Sequence, residues 1–331
     1  MLKVAINGFG RIGRNFFKLA FKDPEIELVA INDRAPISTL SHLLKFDSIH
    51  GIFDEEVRFR ESELIVGSKH IVVSQESDIQ HIDWKSTSPD IVVECTGKFK
   101  TKEALQNHLK GGAKRVILTV PPSDDSIKMI VMGVNDKHLE GTETIISNAS
   151  CTTNNAAPLI KVIHELAEVE QAYITTVHSY TSDQSLHDQP HRDLRRARAA
   201  GQNIVPTTTG AAKALTKIFP DLATAIGGCG IRVPVPNGSL TDITLNVKKA
   251  TSIAAVNAAF QNAANHELKG ILEYSELPLV SVDIIGNSHS CIFDAQMTSV
   301  IGKMVKVIGW YDNEIGYSNR LIDLIKLFNK K

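Results

Sequence analysis

The 331-residue chain predicts two domains: an α/β half built on a doubly wound parallel sheet, then an α+β half whose sheet is mostly antiparallel. Three observations carry this. Up to about residue 150, short β-branched apolar runs alternate with helix-like segments, the rhythm of strand–helix–strand units. Beyond it, apolar residues alternate or cluster as antiparallel strands require, with one clear helix among them. The length also exceeds the usual size of one core.

In order, residues 4–7, 28–32, 91–96, 116–120, 130–133 and 144–147 read as strands of the first sheet. Residues 154–168 have helical spacing and 172–177 read as a strand. In the second half, 231–248, 279–285, 290–295 and 304–311 read as strands and 252–268 as the helix. Residues 314–330 place Ile315, Leu321, Ile322, Ile325 and Phe328 at helical intervals and end in lysines, a terminal helix. The division is therefore 1–150, to which the terminal helix 314–331 returns, and 151–313. No internal repeat or low-complexity tract interrupts it.

A formal net charge of -1 without a long block of one sign gives no overall pull toward nucleic acid or anionic membrane. No apolar run approaches membrane-spanning length, and the first residues run straight into a strand where a secretory signal would need a charged and then an apolar region. Cys95, Cys151, Cys229 and Cys291 are scattered without metal-ligand spacing, so neither a disulfide framework nor a metal site is suggested. A reducing cytoplasm is expected.

Gly8-Phe9-Gly10-Arg11-Ile12-Gly13 follows the first predicted strand and opens a helix. Glycines there allow a tight turn and close approach of a pyrophosphate to amides at a helix N-terminus. Alone the pattern is weak, because such turns also serve packing. Asp33, twenty residues after Gly13 at the end of the next strand, can accept from an adenosine ribose and repel a 2'-phosphate. Together they indicate a Rossmann-type dinucleotide-binding domain.

Cys151 sits in the polar run 147–155 between an apolar strand and a helix. A helix N-terminus lowers a thiol's pKa and offers amides to an oxyanion, so reactivity is the better reading. The other three cysteines have apolar or glycine-rich neighbours and read as inert. His178 follows the predicted strand 172–177 and can exchange a proton with a nucleophile from another loop. The basic cluster 191–198 has one aromatic nearby, which does not make a base-stacking platform. Phosphate binding or a subunit interface suits its arginines better.

Several separated motifs then carry a resemblance over essentially the whole length: 6–14 around the glycine turn, Ser147-Asn148-Ala149-Ser150-Cys151-Thr152-Thr153-Asn154, Leu194-Arg195-Arg196-Ala197-Arg198, Pro206-Thr207-Thr208-Thr209-Gly210-Ala211-Ala212-Lys213, Arg232-Val233-Pro234-Val235-Pro236-Asn237, and Trp310-Tyr311-Asp312-Asn313-Glu314. With these the chain closely resembles the phosphorylating glyceraldehyde-3-phosphate dehydrogenases. The resemblance implies oxidation of D-glyceraldehyde 3-phosphate to 1,3-bisphosphoglycerate with NAD, through a hemithioacetal and a thioester on Cys151. His178 would be the base and acid. Thr181, Arg196 and Arg232 would hold the substrate's phosphate. Ser150, Thr152, Thr209 and Gly210 would receive inorganic phosphate. Gly8, Gly10, Arg11, Ile12 and Asp33 would bind the adenosine diphosphate part of NAD, with Thr96, Gly97 and Thr119 lining the cleft and Asn313 fixing the nicotinamide carboxamide. The segment 180–203 resembles a loop that reaches a neighbouring subunit's cofactor site, which implies a homotetramer.

Two positions depart from the family's pattern. Asn155 stands where a second cysteine is common, four residues after the nucleophile and on the same helix face. Arg34 follows Asp33, where a cation can soften discrimination against a 2'-phosphate. Two other readings compete: the sibling erythrose-4-phosphate dehydrogenase, which the stretch 207–213 disfavours, and a moonlighting binding protein that kept the fold without catalysis.

Overall fold

In a computed structural model describing residues 1–331, the chain divides into two compact units. One comprises 1–130, 137–149 and 318–331, the other 131–136 and 150–317.

The first unit is built on a nine-stranded sheet in the order Lys128–Met129, Ile145–Ser147, Arg115–Leu118, Ile91–Glu94, Leu2–Asn7, Ile26–Asn32, Lys69–Ser74, Glu63–Val66, Val57–Arg60. From Lys128–Met129 to Lys69–Ser74 every neighbour is parallel, and the last two strands extend the sheet antiparallel. Helices α1 (Arg11–Lys22), α2 (Ile37–Lys45) and α3 (Lys102–Lys110) connect or flank these strands. Phe16, Phe17 and Ala20 form the buried face of α1. Gly13 is required where α1 crosses the turn, since a Cβ there would lie 2.2 Å from the carbonyl oxygen of Gly8. Ala5, Ala30 and Val92 of three adjacent strands pack with Ile79, Ile82 and Trp84, while Leu105 of α3 packs with Val116, Leu118, Ile127 and Ile145.

The second unit holds a mixed sheet in the order Val205–Thr207, Ile226–Val233, Val169–Ser179, Ser239–Val247, Met304–Tyr311, Cys291–Asp294, Leu272–Ser275. Ser299–Ile301 pairs beside Met304–Tyr311. Only Val169–Ser179 with Ile226–Val233, and Leu272–Ser275 with Cys291–Asp294, run parallel in it. Helix α4 (Cys151–Ala167) packs on this sheet, with α5 (Ala211–Ile218) and α6 (Ile253–Asn265) against it. Helix α7 (Ile315–Lys330) starts where Asp312 Oδ1 accepts from the amides of Glu314 and Ile315 at 2.8 and 2.9 Å.

Two expected strands are not strands. Of residues 130–133, Ile130 still donates to the carbonyl of Ser147 at 2.8 Å, and the chain then enters a turn over 132–135, closed by the amides of Val134 and Asn135 on the carbonyl of Val131. Within 279–285 the chain makes the 3-10 turn Ser281–Ile284, and Asp283 Oδ2 accepts from the amide of Val280 at 2.9 Å. That side-chain bond to a nearby amide offers the backbone an alternative to a ladder. Helix α4 begins earlier than residue 154, at Cys151, because Ser150 caps it.

Candidate active site

Cys151 is the first residue of α4. The Ser150 hydroxyl accepts from the amide of Thr153 at 3.1 Å, which satisfies one of the unpaired first-turn donors. Just before it, buried Ala149 holds φ at 54°, a left-handed conformation a Cβ disfavours, fixed by the surrounding chain. His178 lies inside Val169–Ser179 and not in a loop beyond a strand, because that strand pairs on both sides. Its parallel register sets His178 opposite Arg232.

The structure brings Cys151 Sγ to 3.5 Å from His178 Nε2. His178 Nδ1 is 2.7 Å from the carbonyl oxygen of Ser179. A carbonyl only accepts, so Nδ1 carries the proton and Nε2 is free to accept from the thiol. Arg232 Nη1 donates to the same carbonyl at 2.9 Å and to Thr181 Oγ1 at 3.3 Å. Burial pushes His178 down to about 3, helped by the charge of Arg232. Burial also raises the Cys151 thiol, while Arg232 and the amides of Thr152 and Cys151 pull the other way. The net direction corrects the expectation of a lowered thiol: desolvation outweighs the helix terminus. Either group alone resists charging, but moving the proton from Sγ to Nε2 creates two opposite charges in contact.

Tyr311 escaped the sequence reading of the site. Its hydroxyl joins those of Thr152 and Thr176 at 2.9 and 3.0 Å, and its ring stands edge-on to His178 with centroids 6.0 Å apart. The only hint was its place beside Asn313 in a shared motif. Asn313 itself is buried, and Oδ1 accepts from the hydroxyls of Ser179 and Ser239, both at 2.9 Å. Its Nδ2 hydrogens take no part in these two bonds.

Among the expected phosphate residues, Arg232 and Thr181 meet directly beside His178. Arg196 is held by Asp183 at 2.5 Å, by Thr207 Oγ1 at 2.9 Å and by the carbonyl of Thr208 at 3.2 Å, and its charge is felt at both His178 and Arg232. Thr209 and Gly210 stand at the start of α5, where Thr209 Oγ1 accepts from the amide of Ala211 at 3.2 Å. Thr152 spends its hydroxyl on Tyr311 and Ser150 its own on Thr153. Asn155 lies inside α4. It is fully buried, donating to the carbonyls of Trp310 at 3.1 Å and Ser290 at 3.3 Å.

In the first unit the glycine turn fits a dinucleotide. Gly8 has φ of 92°, and a Cβ there would come 2.7 Å from the amide of Thr96. Gly10, the N-cap of α1, brings no side-chain cap, and a Cβ there would meet only open space. A helix start of this kind, with no side chain in the way, favours an anion. Asp33 accepts from the amide of Phe9 through Oδ2 at 2.7 Å and from that of Ala35 through Oδ1 at 2.9 Å, which leaves each oxygen a further lone pair for ribose hydroxyls. Arg11 reaches Asp47 at 2.7 Å, Ile12 follows it in α1, and exposed Arg34 borders Asp33. Thr119 Oγ1 donates to the carbonyl of Glu94 at 2.8 Å, and Gly97 has φ of 66°.

Comparison with known proteins gives concordant matches. Residues 2–102 match the NAD binding domain of glyceraldehyde 3-phosphate dehydrogenase and residues 150–313 its C-terminal domain. The glyceraldehyde-3-phosphate dehydrogenase of Geobacillus stearothermophilus is 52% identical over 325 residues, 98% of this chain and 97% of the relative. Glyceraldehyde-3-phosphate dehydrogenase 1 of Bacillus subtilis is 49% identical, covering 100% and 99% of the two chains. That of Mycobacterium leprae is 48% identical, covering 99% of each.

Proposed function

The chain belongs to the glyceraldehyde-3-phosphate dehydrogenase family, and we propose from that premise how its residues oxidise D-glyceraldehyde 3-phosphate and capture inorganic phosphate as 1,3-bisphosphoglycerate. The supporting observation is the 3.5 Å contact of Cys151 Sγ with His178 Nε2 at the N-terminus of a helix.

His178 Nε2 takes the thiol proton as Sγ adds to the aldehyde carbon, and the imidazolium returns it to the oxygen, giving a hemithioacetal. Bound NAD supplies the two-electron acceptor. His178 then removes the hydroxyl proton as the C–H electron pair leaves, and a thioester on Cys151 remains. An oxygen of inorganic phosphate attacks the thioester carbonyl, the C–S bond breaks, and Sγ departs as thiolate stabilised by Arg232 and the first-turn amides. Thr181, Arg196 and Arg232 hold the substrate phosphate, while Ser150, Thr152, Thr209 and Gly210 receive the attacking one. Oriented donors and proximity replace the cost of assembling the partners in water.

Residues 1–150 with 314–331 bind NAD in this proposal, through Gly8, Gly10, Arg11, Ile12, Asp33, Thr96, Gly97 and Thr119, and residues 151–313 carry catalysis with Asn313 donating Nδ2 to the carboxamide. At about 4 Å the Asp33 carboxylate repels a 2'-phosphate by about 1 kcal/mol in water and by about 4 at an effective dielectric of 20; Arg34 sets where in that range the preference falls. Four free thiols suit a cytoplasmic setting, and no helix is long and apolar enough to cross a membrane. A homotetramer completes the proposal, supported by exposed apolar residues in 180–204. Turnover should be fastest with the three-carbon aldehyde phosphate, with inorganic phosphate present, and with NAD over NADP. Preference for erythrose 4-phosphate, or indifference to phosphate, would overturn it.

A further inference from the structure

Glu94 is completely buried and is used by none of the steps above. Its carboxylate accepts from Asn7 Nδ2 at 2.6 Å, from His108 Nε2 at 3.0 Å, from the amide of Thr96 at 2.8 Å and from the Thr96 hydroxyl. The direction of the His108 bond follows from Trp84, whose indole N–H donates to His108 Nδ1 at 3.1 Å. Indole can only donate, so Nδ1 accepts and Nε2 carries the hydrogen. Four donors surround Glu94, two on each carboxylate oxygen.

This carboxylate ends a polar ribbon across the C-terminal edge of four adjacent parallel strands. Glu94, Asn7, Asn32 and Ser74 are the last residues of their strands and stand in register as neighbours. Asn7 Oδ1 accepts from Asn32 Nδ2 at 2.8 Å, and Asn32 Oδ1 accepts from the Ser74 hydroxyl at 2.8 Å. Ligands of open α/β sheets sit outside this edge. Three of the four ribbon residues are followed by chain that would meet the cofactor: Gly8 after Asn7, Asp33 after Asn32, and Thr96 with Gly97 just past Glu94. These segments also brace one another, since Gly8 closes on Thr96 so tightly that a Cβ would be 2.7 Å from its amide.

We propose that Glu94, buttressed by His108 and Trp84, is the positioning residue of the cofactor turn. Through Thr96 and Asn7 it fixes the spacing between the glycine turn and the 96–97 loop before NAD arrives, so binding does not have to order them. The inference rests on reading residues 1–150 as the NAD-binding part.

Calorimetric titration of the whole protein with NAD tests it, alongside KM for each substrate and thermal midpoints. In Glu94→Gln an amide NH2 faces donors, and the NAD Kd should rise about tenfold or more, as expected for a buried hydrogen bond lost with its partners left unsatisfied, with KM for the aldehyde unmoved. His108→Leu should weaken NAD binding likewise, whereas His108→Gln, which keeps a donor toward Glu94, should restore most of it. These two decide the matter if Glu94→Gln does not fold. Lower thermal midpoints with unchanged NAD Kd in Glu94→Gln and His108→Leu would reduce the network to scaffolding and overturn the proposal, as would equal weakening by both His108 substitutions. Absence of NAD binding by the unaltered protein would instead overturn the cofactor reading itself.

Discussion

Neither member of the Cys151 and His178 pair accepts a lone charge readily: burial raises the thiol and pushes the imidazole down to about 3. The thiolate therefore depends on handing its proton to Nε2. Replacing His178 with Asn removes the acceptor, and turnover should fall about 10²- to 10⁴-fold, the usual contribution of a positioned base. The pH dependence follows from the raised thiol. Without the histidine, thiolate accumulates only as pH climbs beyond the ordinary thiol range, so alkylation of Cys151 by iodoacetamide should rise steadily from pH 7 to 10 and lag the unaltered protein most at the acid end. Superimposed profiles would show that His178 is not the proton acceptor. Cys151 was legible because polar neighbours ahead of a helix are an unusual setting for a structural cysteine. Tyr311 was not, because its link to Thr152 and Thr176 depends on residues 159 and 135 positions away, a pairing no local pattern encodes.

Among elements, strands in the middle of the first sheet were readable because burial on both faces demands continuous β-branched runs, and those of the second because one face is buried and the apolar residues alternate. The edges were not. Glu63–Val66 and Val57–Arg60 form an antiparallel extension that the sequence reading passed over, since Phe59 is exposed and arginines alternate with the apolar residues. The apolar residues 130–133 gave no means of separating a turn from a strand. Asp47, in a separate two-stranded pair with Gly51–Ile52, shows how a short unread element bears on the cofactor turn. It ends the two-residue strand Phe46–Asp47 and its nearly inaccessible carboxylate holds Arg11, the first residue of α1, at 2.7 Å. Burial alone would raise this carboxyl, but the amides of His50 and Ile49 and the Arg11 guanidinium outweigh it and hold it at about 2. A depressed carboxyl stabilises the fold when ionised. That contribution is fully present above the unfolded value near pH 4 and is lost as pH falls through about 2. It amounts to about 2 kcal/mol. Asp47→Asn should therefore lower unfolding free energy by about that much at pH 7 in urea titrations, and the gap to the unaltered protein should close toward pH 2. A gap independent of pH would mean that shape, and not charge, makes Asp47 useful.

At the scale of the whole molecule, strand order and the pairing of distant segments lay outside what periodicity can say, whereas the two-part division followed from a change in pattern near residue 150. Assembly is the remaining question at this scale. Single apolar residues on a surface are ordinary, but a polar segment that repeatedly points large ones outward calls for a covering partner. In 180–204, Leu186 is 77% exposed, Leu194 81% and Ile204 70%. Covering each side chain is worth about 1.5–3 kcal/mol, so three in one interface, repeated by symmetry, contribute enough to hold subunits together against the entropy of association. A second copy of this chain is the simplest partner, since closed symmetric assemblies of one chain are the commonest kind. Sedimentation at micromolar concentration should give four times the chain mass, and the paired change Leu194→Asp with Ile204→Asp should shift the mass to a smaller species while far-ultraviolet dichroism stays the same. A single-chain mass for the unaltered protein would overturn the homotetramer. An unshifted mass in the charged variant would move the interface away from this segment, and the exposed Leu277, Val280 and Val282 would then be the next residues to charge.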